Sequence, residues 1–377
     1  MMFGARISGI GYELGEELVT NERISEIVET RVAQILGREP NDEERAKLCT
    51  NPEWIFERTG ITTRYFASEK TATSDLAAKA VIKAIAHSHH KIQDCQFIVV
   101  ASVTPDYLYA PPTGALVQHK IDFAPVLENL GLQECFIVDT SSACSSFGAA
   151  LRLGYSLIAS GQFLFGVVVG ADKMSTTVNF ADRNFCVLLG DAAAAITLEA
   201  TSADKNAFWR GPYSFFSWSD GSRGDVIIAR VGGSAEPFSP ELINSNQFER
   251  PDKLWQDGQR VFKDMNRLLY SAEKPNWTIV GQALFKAGIR LSEIDRIFFH
   301  QANGRIISGA EDKMREAGFK GVIFNTIDRF GNTTSPTIPL GMAVAYEEDV
   351  LKRGHKVLIC VFGGGYTAGT ALFEWAI

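Results

Sequence analysis

Short apolar runs rich in β-branched residues alternate along the chain with longer amphipathic stretches. A run of this kind predicts a buried strand, and a 3.6-residue period predicts a helix. The predicted strands cover residues 97–103, 135–139, 165–171, 186–198, 296–300 and 357–362. The predicted helices cover residues 73–87, 149–160, part of 242–270, 277–288, 304–318 and 340–353. This alternation favours an α/β architecture with mostly parallel central strands.

Two segments stand apart from the alternation. Residues 22–49 are charged and helical in pattern, so we expect an exposed excursion from the core. Residues 200–253 mix glycine, proline, serine and tryptophan, and a boundary between two halves is expected near their start. No tandem repeat is visible, although two halves of similar fold need not keep similar sequences.

Composition narrows the classes of function. Hydrophobic residues make up 46% of the 377 residues, which is enough for a large buried core. The formal net charge of -7 gives no global basic footprint, so nucleic acid is not an expected partner. We find no apolar run long enough to span a bilayer and no signal-peptide pattern at the amino terminus. A cytoplasmic location is the resulting expectation.

The cysteines are spread along the whole chain. They are Cys49, Cys95, Cys135, Cys144, Cys186 and Cys360. Without a C-x-x-C pair or a cysteine–histidine cluster, their spacing predicts no metal site and favours reduced thiols. The question is then whether one of these thiols is a nucleophile.

Cys144 lies where an apolar strand runs into a helical pattern, in the segment FIVDTSSACSSFGAAL of residues 136–151. A cysteine at a helix N-terminus is exposed to free backbone N–H groups, which stabilise a thiolate and lower the thiol pKa. The small neighbouring residues leave room for a substrate carbonyl, and the Cys144 N–H is a candidate oxyanion donor. A buried structural cysteine at a tight turn fits this segment equally well.

His300 closes a predicted strand and opens the sequence HQAN, just before a predicted helix. The carboxyl ends of strands are where open α/β folds place reactive groups. The other histidines lie at a helix end or beside lysine. Taken alone, His300 is also compatible with a purely structural hydrogen-bonding role.

Two further loops complete the candidate site. Asn332 lies in FGNTTSPTIPL, residues 330–340, where it is either a turn former or an amide donor to a developing negative charge. Residues 361–369, VFGGGYTAG, form a glycine-rich turn after a strand. Glycines allow backbone N–H groups to approach a substrate closely, but the P-loop spacing for phosphate is missing.

Together these four segments resemble β-ketoacyl-acyl carrier protein synthase III and its relatives in the thiolase superfamily. The resemblance implies an α/β fold of the thiolase type, a five-layered αβαβα arrangement of two similar halves, normally in a homodimer. Residues 1–200 would form the half that carries the cysteine. Residues 201–377 would form the half that carries the histidine and the asparagine.

The resemblance also implies a two-stage reaction. An acyl group passes from acyl-CoA to Cys144, with the N–H groups of Cys144 and Gly364 as the oxyanion hole. A malonyl thioester on acyl carrier protein then loses CO2, and His300 and Asn332 donate hydrogen bonds to its enolate, which attacks the acyl-enzyme. No metal or redox cofactor is implied.

Substrate-binding residues follow from the same resemblance. The segment NPEWIFERTGI, residues 51–61, resembles the family segment that binds the coenzyme A nucleotide, which suggests Trp54 and Arg58. Arg183 matches another basic position used for the nucleotide. Lys263 and Arg305 match positions at the entrance, where a carrier protein docks.

Departures from the family pattern bear on the acyl primer. The chain is longer than housekeeping enzymes, with extra sequence in residues 22–49 and between residues 191 and 263, which favours a specialised lipid or polyketide pathway. Ala110 lies where short-chain enzymes often carry a phenylalanine that caps the partner's acyl pocket. A small residue there predicts a medium or long primer, unless Tyr107 or Tyr109 fills the gap.

Alternative functions on the same fold remain open from the sequence. They are head-to-head condensation of two acyl chains, acyl transfer to an oxygen or nitrogen nucleophile, a chalcone-synthase-like activity, and a non-catalytic partner subunit. Head-to-head enzymes use an acidic base near the dimer-crossing loop, where only Asp106 is available. The presence of Cys144 argues against a silent subunit.

Overall fold

The computed structural model describes residues 4–123, 126–127, 131–201 and 214–377. The strands in these ranges are β1 (Gly4–Leu14), β2 (Glu17–Thr20), β3 (Thr63–Phe66), β4 (Phe97–Ala101), β5 (Val126–Leu127), β6 (Gly131–Leu132), β7 (Phe136–Thr140), β8 (Phe165–Lys173), β9 (Asp191–Thr201), β10 (Phe215–Arg223), β11 (Ile227–Ile228), β12 (Trp255–Gln256), β13 (Arg296–Phe299), β14 (Val322–Ile323), β15 (Lys356–Gly363) and β16 (Gly365–Glu374).

The α-helices of the same ranges lie between these strands. They are α1 (Asn21–Leu36), α2 (Asp42–Leu48), α3 (Pro52–Thr59), α4 (Thr73–His87), α5 (Thr113–Lys120), α6 (Ser146–Ala159), α7 (Pro240–Ser245), α8 (Gly258–Leu268), α9 (Ile279–Ala287), α10 (Gly304–Glu316), α11 (Ile327–Phe330) and α12 (Thr337–Glu347). None of the helices in the described ranges combines the length and the apolar character that a membrane span requires.

Two five-stranded sheets share one strand order. The first sheet has the order β1-β9-β8-β4-β7, and the second has the order β10-β16-β15-β13-β14. When the strands of each sheet are counted along the chain, the first strand lies at one edge of the sheet and pairs with the fifth. The third strand along the chain lies at the opposite edge. The three strands farthest from the first are mutually parallel in each sheet, and the two remaining pairings are antiparallel. The chain is therefore built from two similar halves.

Helices and sheets stack in five layers. The central helices α6 and α12 pack between the two sheets, with Phe147 and Leu151 from one and Ile338 and Leu340 from the other in a single buried cluster. Helices α4 and α5 cover the outer face of the first sheet, and α8, α9 and α10 cover the second. The predicted αβαβα thiolase-like fold is thus confirmed.

Burial on both faces explains why the central strands read as continuous apolar runs. All five residues of β4 are fully buried, as expected for a parallel strand covered by helices on both sides. These strands end at the edge of the sheet where the central helices begin. The fold therefore brings the strand ends and the starts of α6 and α12 to one region.

Two predictions about local structure were wrong. Residues 22–49 do not form a fully exposed excursion, because Ile24, Val28 and Val32 of α1 are completely buried. The predicted strand over residues 186–198 begins only at Asp191, since buried apolar residues in a short turn cannot be told from a strand by pattern alone. The prediction of helix over part of residues 242–270 is confirmed, because α7 and α8 lie at the two ends of this range and the stretch between them contains Pro251.

Candidate active site

The Cys144 turn is held by hydroxyl groups from its own segment. Cys144 lies two residues before α6, after Ala143 with a left-handed φ of 49°. Ser142 N donates to Ser146 Oγ at 2.8 Å, which ties the turn to the first residue of the helix. Ser145 Oγ donates to Ser142 O at 2.7 Å. The backbone around the cysteine is therefore fixed before any substrate arrives.

The glycine-rich turn between β15 and β16 packs directly against Cys144. A Cβ atom added to Gly363 would lie 2.6 Å from Cys144 N, so this approach requires glycine. Thr367 Oγ1 donates to Ser142 O at 2.9 Å and lies 2.8 Å from Ser145 Oγ. The two halves of the chain are thus joined at the cysteine. The predicted oxyanion role of the Cys144 and Gly364 N–H groups remains a prediction.

The expectation of a lowered thiol pKa was wrong. Burial raises the pKa of the Cys144 thiol to about 12, and the negative charge of Asp172 contributes to the rise. The residue keeps some accessible surface, but the surrounding protein removes most of the water that would stabilise a thiolate. Proximity to a helix end does not outweigh this loss. At neutral pH the thiol of the free protein is protonated.

His300 follows β13 and is held from two sides. Its backbone N–H donates to Cys360 O at 2.9 Å, and its Nδ1 lies 2.9 Å from Thr337 Oγ1. The ring packs edge-on against Phe362, with ring centroids 5.1 Å apart. Burial lowers the pKa of His300 to about 3, so the imidazole is neutral at physiological pH. A neutral imidazole offers one N–H donor and one acceptor.

Asn332 is oriented by its own loop. Its backbone N–H donates to Leu188 O at 2.7 Å, and its Oδ1 accepts from Thr334 N at 2.9 Å. The preceding Gly331 has a φ of 64° and leaves no room for a Cβ atom, which would lie 2.8 Å from Leu188 O. Because Oδ1 is occupied, the NH2 group of Asn332 is the part of the amide left to donate.

Shared neighbours bring the three candidate residues to one region. Cys144 contacts Gly363 at the end of β15, and His300 packs on Phe362, the residue before it. Asn332 is connected to His300 by hydrogen bonds through Thr334 and Thr337, in the loop that precedes α12. The catalytic roles of the three residues remain predictions.

Asp172 is a buried residue of the site that the sequence reasoning missed. Its Oδ1 accepts from Val103 N at 2.7 Å and Thr104 N at 3.1 Å, and its Oδ2 accepts from Ser335 N at 2.9 Å. Burial raises the pKa of Asp172, while these hydrogen bonds and one from Thr334 oppose the rise. The available signal was a single acidic residue that ends the apolar run 165–171.

A cavity of about 640 Å³ lies beside the site and is lined by several predicted substrate-binding residues. Arg58 and Arg183 both lie over the Trp54 ring, with guanidinium carbons 4.6 and 5.0 Å from its centroid. Trp54 and Arg58 line the cavity, together with Trp255 and Phe262. Its volume is in the range of ligand sites.

Lys263 and Arg305 are exposed on α8 and α10, the two helices at the mouth of this cavity. Arg305 lines the cavity, and its guanidinium lies 5.7 Å from the Phe262 ring centroid. Lys263 directly follows Phe262, which lines the cavity, but does not itself line it.

The loop that contains Ala110 projects from the first half. Ala110 is exposed, as are Tyr107 and Tyr109. Asp106, the candidate base for head-to-head condensation, instead accepts from Ser74 N at 2.9 Å and from Ser74 Oγ. These bonds hold the Asp106 carboxylate at the first turn of α4, which does not favour the head-to-head alternative.

Metal binding has no obvious place in the described residues. They contain no group of three or more histidine, cysteine, aspartate or glutamate side chains arranged to hold an ion.

Two similar halves, with Cys144 before the central helix α6 and Asn332 before the central helix α12, place the chain among the condensing enzymes of the thiolase fold. Family models described as 3-Oxoacyl-[acyl-carrier-protein (ACP)] synthase III and its C-terminal part match residues 138–211 and 284–375. The chain belongs to the β-ketoacyl-acyl carrier protein synthase III family. The resemblance predicted from sequence is confirmed, and so is the prediction of an acyltransferase.

Individual relatives match over nearly the whole chain. The β-ketoacyl-acyl carrier protein synthase III of Koribacter versatilis is 35% identical over 327 residues, which cover 87% of this chain and 90% of the relative. The corresponding protein of Solibacter usitatus is 32% identical over 372 residues, 99% of each chain. The crystal structure of the Aquifex aeolicus synthase superposes with a TM-score of 0.76 at 28% identity, covering 99% of this chain and 100% of that one.

Proposed function

We propose that this protein loads an acyl group from acyl-CoA onto Cys144 and condenses it with a malonyl group carried by acyl carrier protein. The observation that carries the proposal is the grouping of Cys144, His300 and Asn332 around the starts of the two central helices. Acyl-CoA and malonyl-acyl carrier protein are substrates, and the chemistry requires no resident cofactor.

Loading is a thioester exchange. The Cys144 sulfur attacks the acyl carbonyl, the bond to the coenzyme A sulfur breaks, and the thiol proton passes to the departing coenzyme A. The raised pKa of the Cys144 thiol means that this proton must be removed as the attack proceeds. The N–H groups of Cys144 and Gly364 are proposed to stabilise the negative oxygen of the tetrahedral intermediate.

Condensation begins with loss of CO2 from the malonyl thioester. The electrons of the broken bond form an enolate, whose oxygen accepts hydrogen bonds from His300 and Asn332. The enolate carbon attacks the acyl-enzyme and displaces the Cys144 sulfur as a thiolate, which takes up a proton from water, and a β-ketoacyl thioester leaves. The Thr337 hydroxyl donates to Thr334 O, so the single ring proton of the neutral His300 lies on Nδ1 and is donated to Thr337 Oγ1. His300 Nε2 therefore donates to the enolate oxygen once the ring has taken up a second proton from water.

Trp54, Arg58 and Arg183 are proposed to bind the coenzyme A nucleotide. A guanidinium group near an aromatic face leaves a flat, positively charged surface suited to a base and its phosphates. Because Arg183 is held by the Ala46 and Cys49 carbonyls, its position is set before the ligand binds.

Lys263 and Arg305 are proposed to dock the acidic carrier protein. Replacing either with glutamate should raise the KM for malonyl-acyl carrier protein roughly tenfold and change kcat little, because exposed charges act mainly on encounter. The effect should shrink as salt is added. Steady-state kinetics at two ionic strengths would measure it.

Lys320→Glu is a matched control for that experiment. Lys320 is also exposed but follows the far end of α10, about 16 Å along the helix from Arg305. Equal effects of Lys320→Glu and Arg305→Glu would contradict a docking site at the entrance.

The acyl primer is proposed to be medium or long, because Ala110 leaves space in the partner's pocket. Intact-protein mass spectrometry with a series of acyl-CoAs should show the most efficient loading above acetyl, followed by product formation when malonyl-acyl carrier protein is added. Ala110→Phe should shift the preference to shorter primers. No adduct with any acyl-CoA would contradict the proposed function, whereas an optimum at acetyl-CoA would contradict only the primer length.

A homodimer in the cytoplasm is the proposed assembly and location. Within the described residues β7 has a partner strand on one side only, and its Phe136 is 40% exposed. The nearby loop exposes Tyr107, Leu108 and Tyr109. An apolar edge strand next to an apolar loop is typical of a surface that pairs with another chain.

A further inference from the structure

Thr334 has a backbone conformation that is rare for its residue type. Its φ is 60°, in the left-handed region, where a β-branched side chain is a genuine outlier. The residue is 2% exposed and lies in the loop between Asn332 and α12. Such a conformation persists only when surrounding contacts hold it, and these outliers concentrate at functional sites.

The contacts of Thr334 reach both proposed enolate donors. Its backbone N–H donates to Asn332 Oδ1 at 2.9 Å. Its carbonyl accepts from the hydroxyl of Thr337, and that hydroxyl oxygen lies 2.9 Å from His300 Nδ1. The N–H of Thr334 therefore holds the Asn332 carboxamide directly. The carbonyl of Thr334 holds the His300 imidazole through the Thr337 hydroxyl.

The side chain of Thr334 is anchored to Asp172. Its hydroxyl donates to Oδ2 of this carboxylate, while Thr333 O is a second, neutral acceptor 2.7 Å away. Hydrogen bonds to an ionised acceptor are the stronger ones. Backbone N–H donors reach both oxygens of Asp172, which is the pattern expected of an ionised carboxyl group.

We propose that Thr334, held in its left-handed conformation by Asp172, is the positioning residue that aims Asn332 and His300 at the enolate oxygen. This inference rests on the proposed function and adds to it the residues that orient the two donors. Thr334 acts through Asn332, Thr337 and Asp172, to which it is hydrogen-bonded.

The arrangement separates the two half-reactions. Loading depends on the Cys144 turn, which is held by Ser142, Ser146 and Thr367 without Thr334. Condensation depends on the direction of two hydrogen-bond donors, and small errors in such geometry cost about 100-fold in rate. Loss of the Thr334 anchor should therefore slow condensation and spare loading.

Three substitutions test this with full-length protein. Thr334→Val keeps the shape and removes the hydroxyl, Thr334→Ser keeps the hydroxyl, and Thr334→Gly removes the hydroxyl while adopting the left-handed conformation without strain. Thr333→Val is the matched control, since Thr333 is equally buried and its hydroxyl has no hydrogen-bond partner among the described residues.

We expect kcat for condensation with malonyl-acyl carrier protein to fall roughly 100-fold in Thr334→Val and Thr334→Gly, with KM nearly unchanged. Acyl loading, followed by intact-protein mass spectrometry, should stay within about threefold of wild type. Thr334→Ser should restore condensation to within about threefold, and Thr333→Val should match wild type in both steps. If Thr334→Val does not fold, the loss of the hydroxyl is tested with Thr334→Gly.

Wild-type condensation in Thr334→Gly would overturn the inference, as would an equal loss of loading and condensation, which indicates a general structural role. An equal loss of condensation in Thr333→Val would also overturn it. A wild-type protein that neither loads nor condenses would instead overturn the proposed function itself.

Discussion

Cys144→Ala is expected to abolish the covalent acyl adduct and to lower the rate of β-ketoacyl product formation roughly a thousandfold or more, because alanine has no atom that can hold the acyl group. Intact-protein mass spectrometry after incubation with acyl-CoA measures the adduct. Product analysis with malonyl-acyl carrier protein measures the second step. The fold should be retained, since the turn is held by the neighbouring serines.

Cys135→Ala is the matched control for this experiment. Cys135 is also a partly accessible free thiol, but it precedes β7, at the end of the strand away from the Cys144 turn. The control should keep both the adduct and the product. An adduct that survives in Cys144→Ala and disappears in Cys135→Ala would show that Cys135 is the acylated thiol, and would contradict the proposed role of Cys144.

Asn332→Ala should separate the two steps. We expect loading of Cys144 to remain within about threefold of wild type and condensation to fall roughly 100- to 1000-fold, the usual cost of removing one donor to a developing oxyanion. Release of CO2 from malonyl-acyl carrier protein, measured beside the acyl adduct, distinguishes the steps.

Asn332→Asp sharpens the same test. A carboxylate nearly matches the amide in shape but accepts hydrogen bonds and repels a negative enolate, so its effect on condensation should be at least as large as that of alanine. Condensation at the wild-type rate in either variant would remove Asn332 from the mechanism. An equal loss of loading would indicate that Asn332 maintains the folded structure and does not act in condensation specifically.

Local patterns in the sequence predicted much of the architecture. The buried central strands are continuous apolar runs, so β4 and β8 were predicted nearly at their observed bounds. The helix α1 was read as exposed because its many charges outweighed three apolar residues at positions 24, 28 and 32, although a spacing of four residues predicts a buried stripe.

The candidate site was predictable where one segment carried its own signal. Cys144 and His300 each lie between the end of a strand and the start of a helix, and Asn332 lies in a Gly-Asn loop between α11 and α12. Asp172 and Thr334 were missed because their importance comes from contacts between segments about 160 residues apart. Such contacts leave no spacing rule in a single sequence.

The pKa of Cys144 shows the limit of local reasoning most clearly. The helix that follows the cysteine is a property of the sequence and was predicted correctly. Burial in the folded chain raises the thiol pKa most, and the negative charge of Asp172 raises it further.

The matched strand orders of the two sheets make the halves topologically equivalent. The connection from β7 to α6 and the connection from β14 to α12 occupy the same place in the two halves. Cys144 lies on the first and Asn332 on the second. The proposed nucleophile and the proposed amide donor thus lie on corresponding connections, one from each half of the chain.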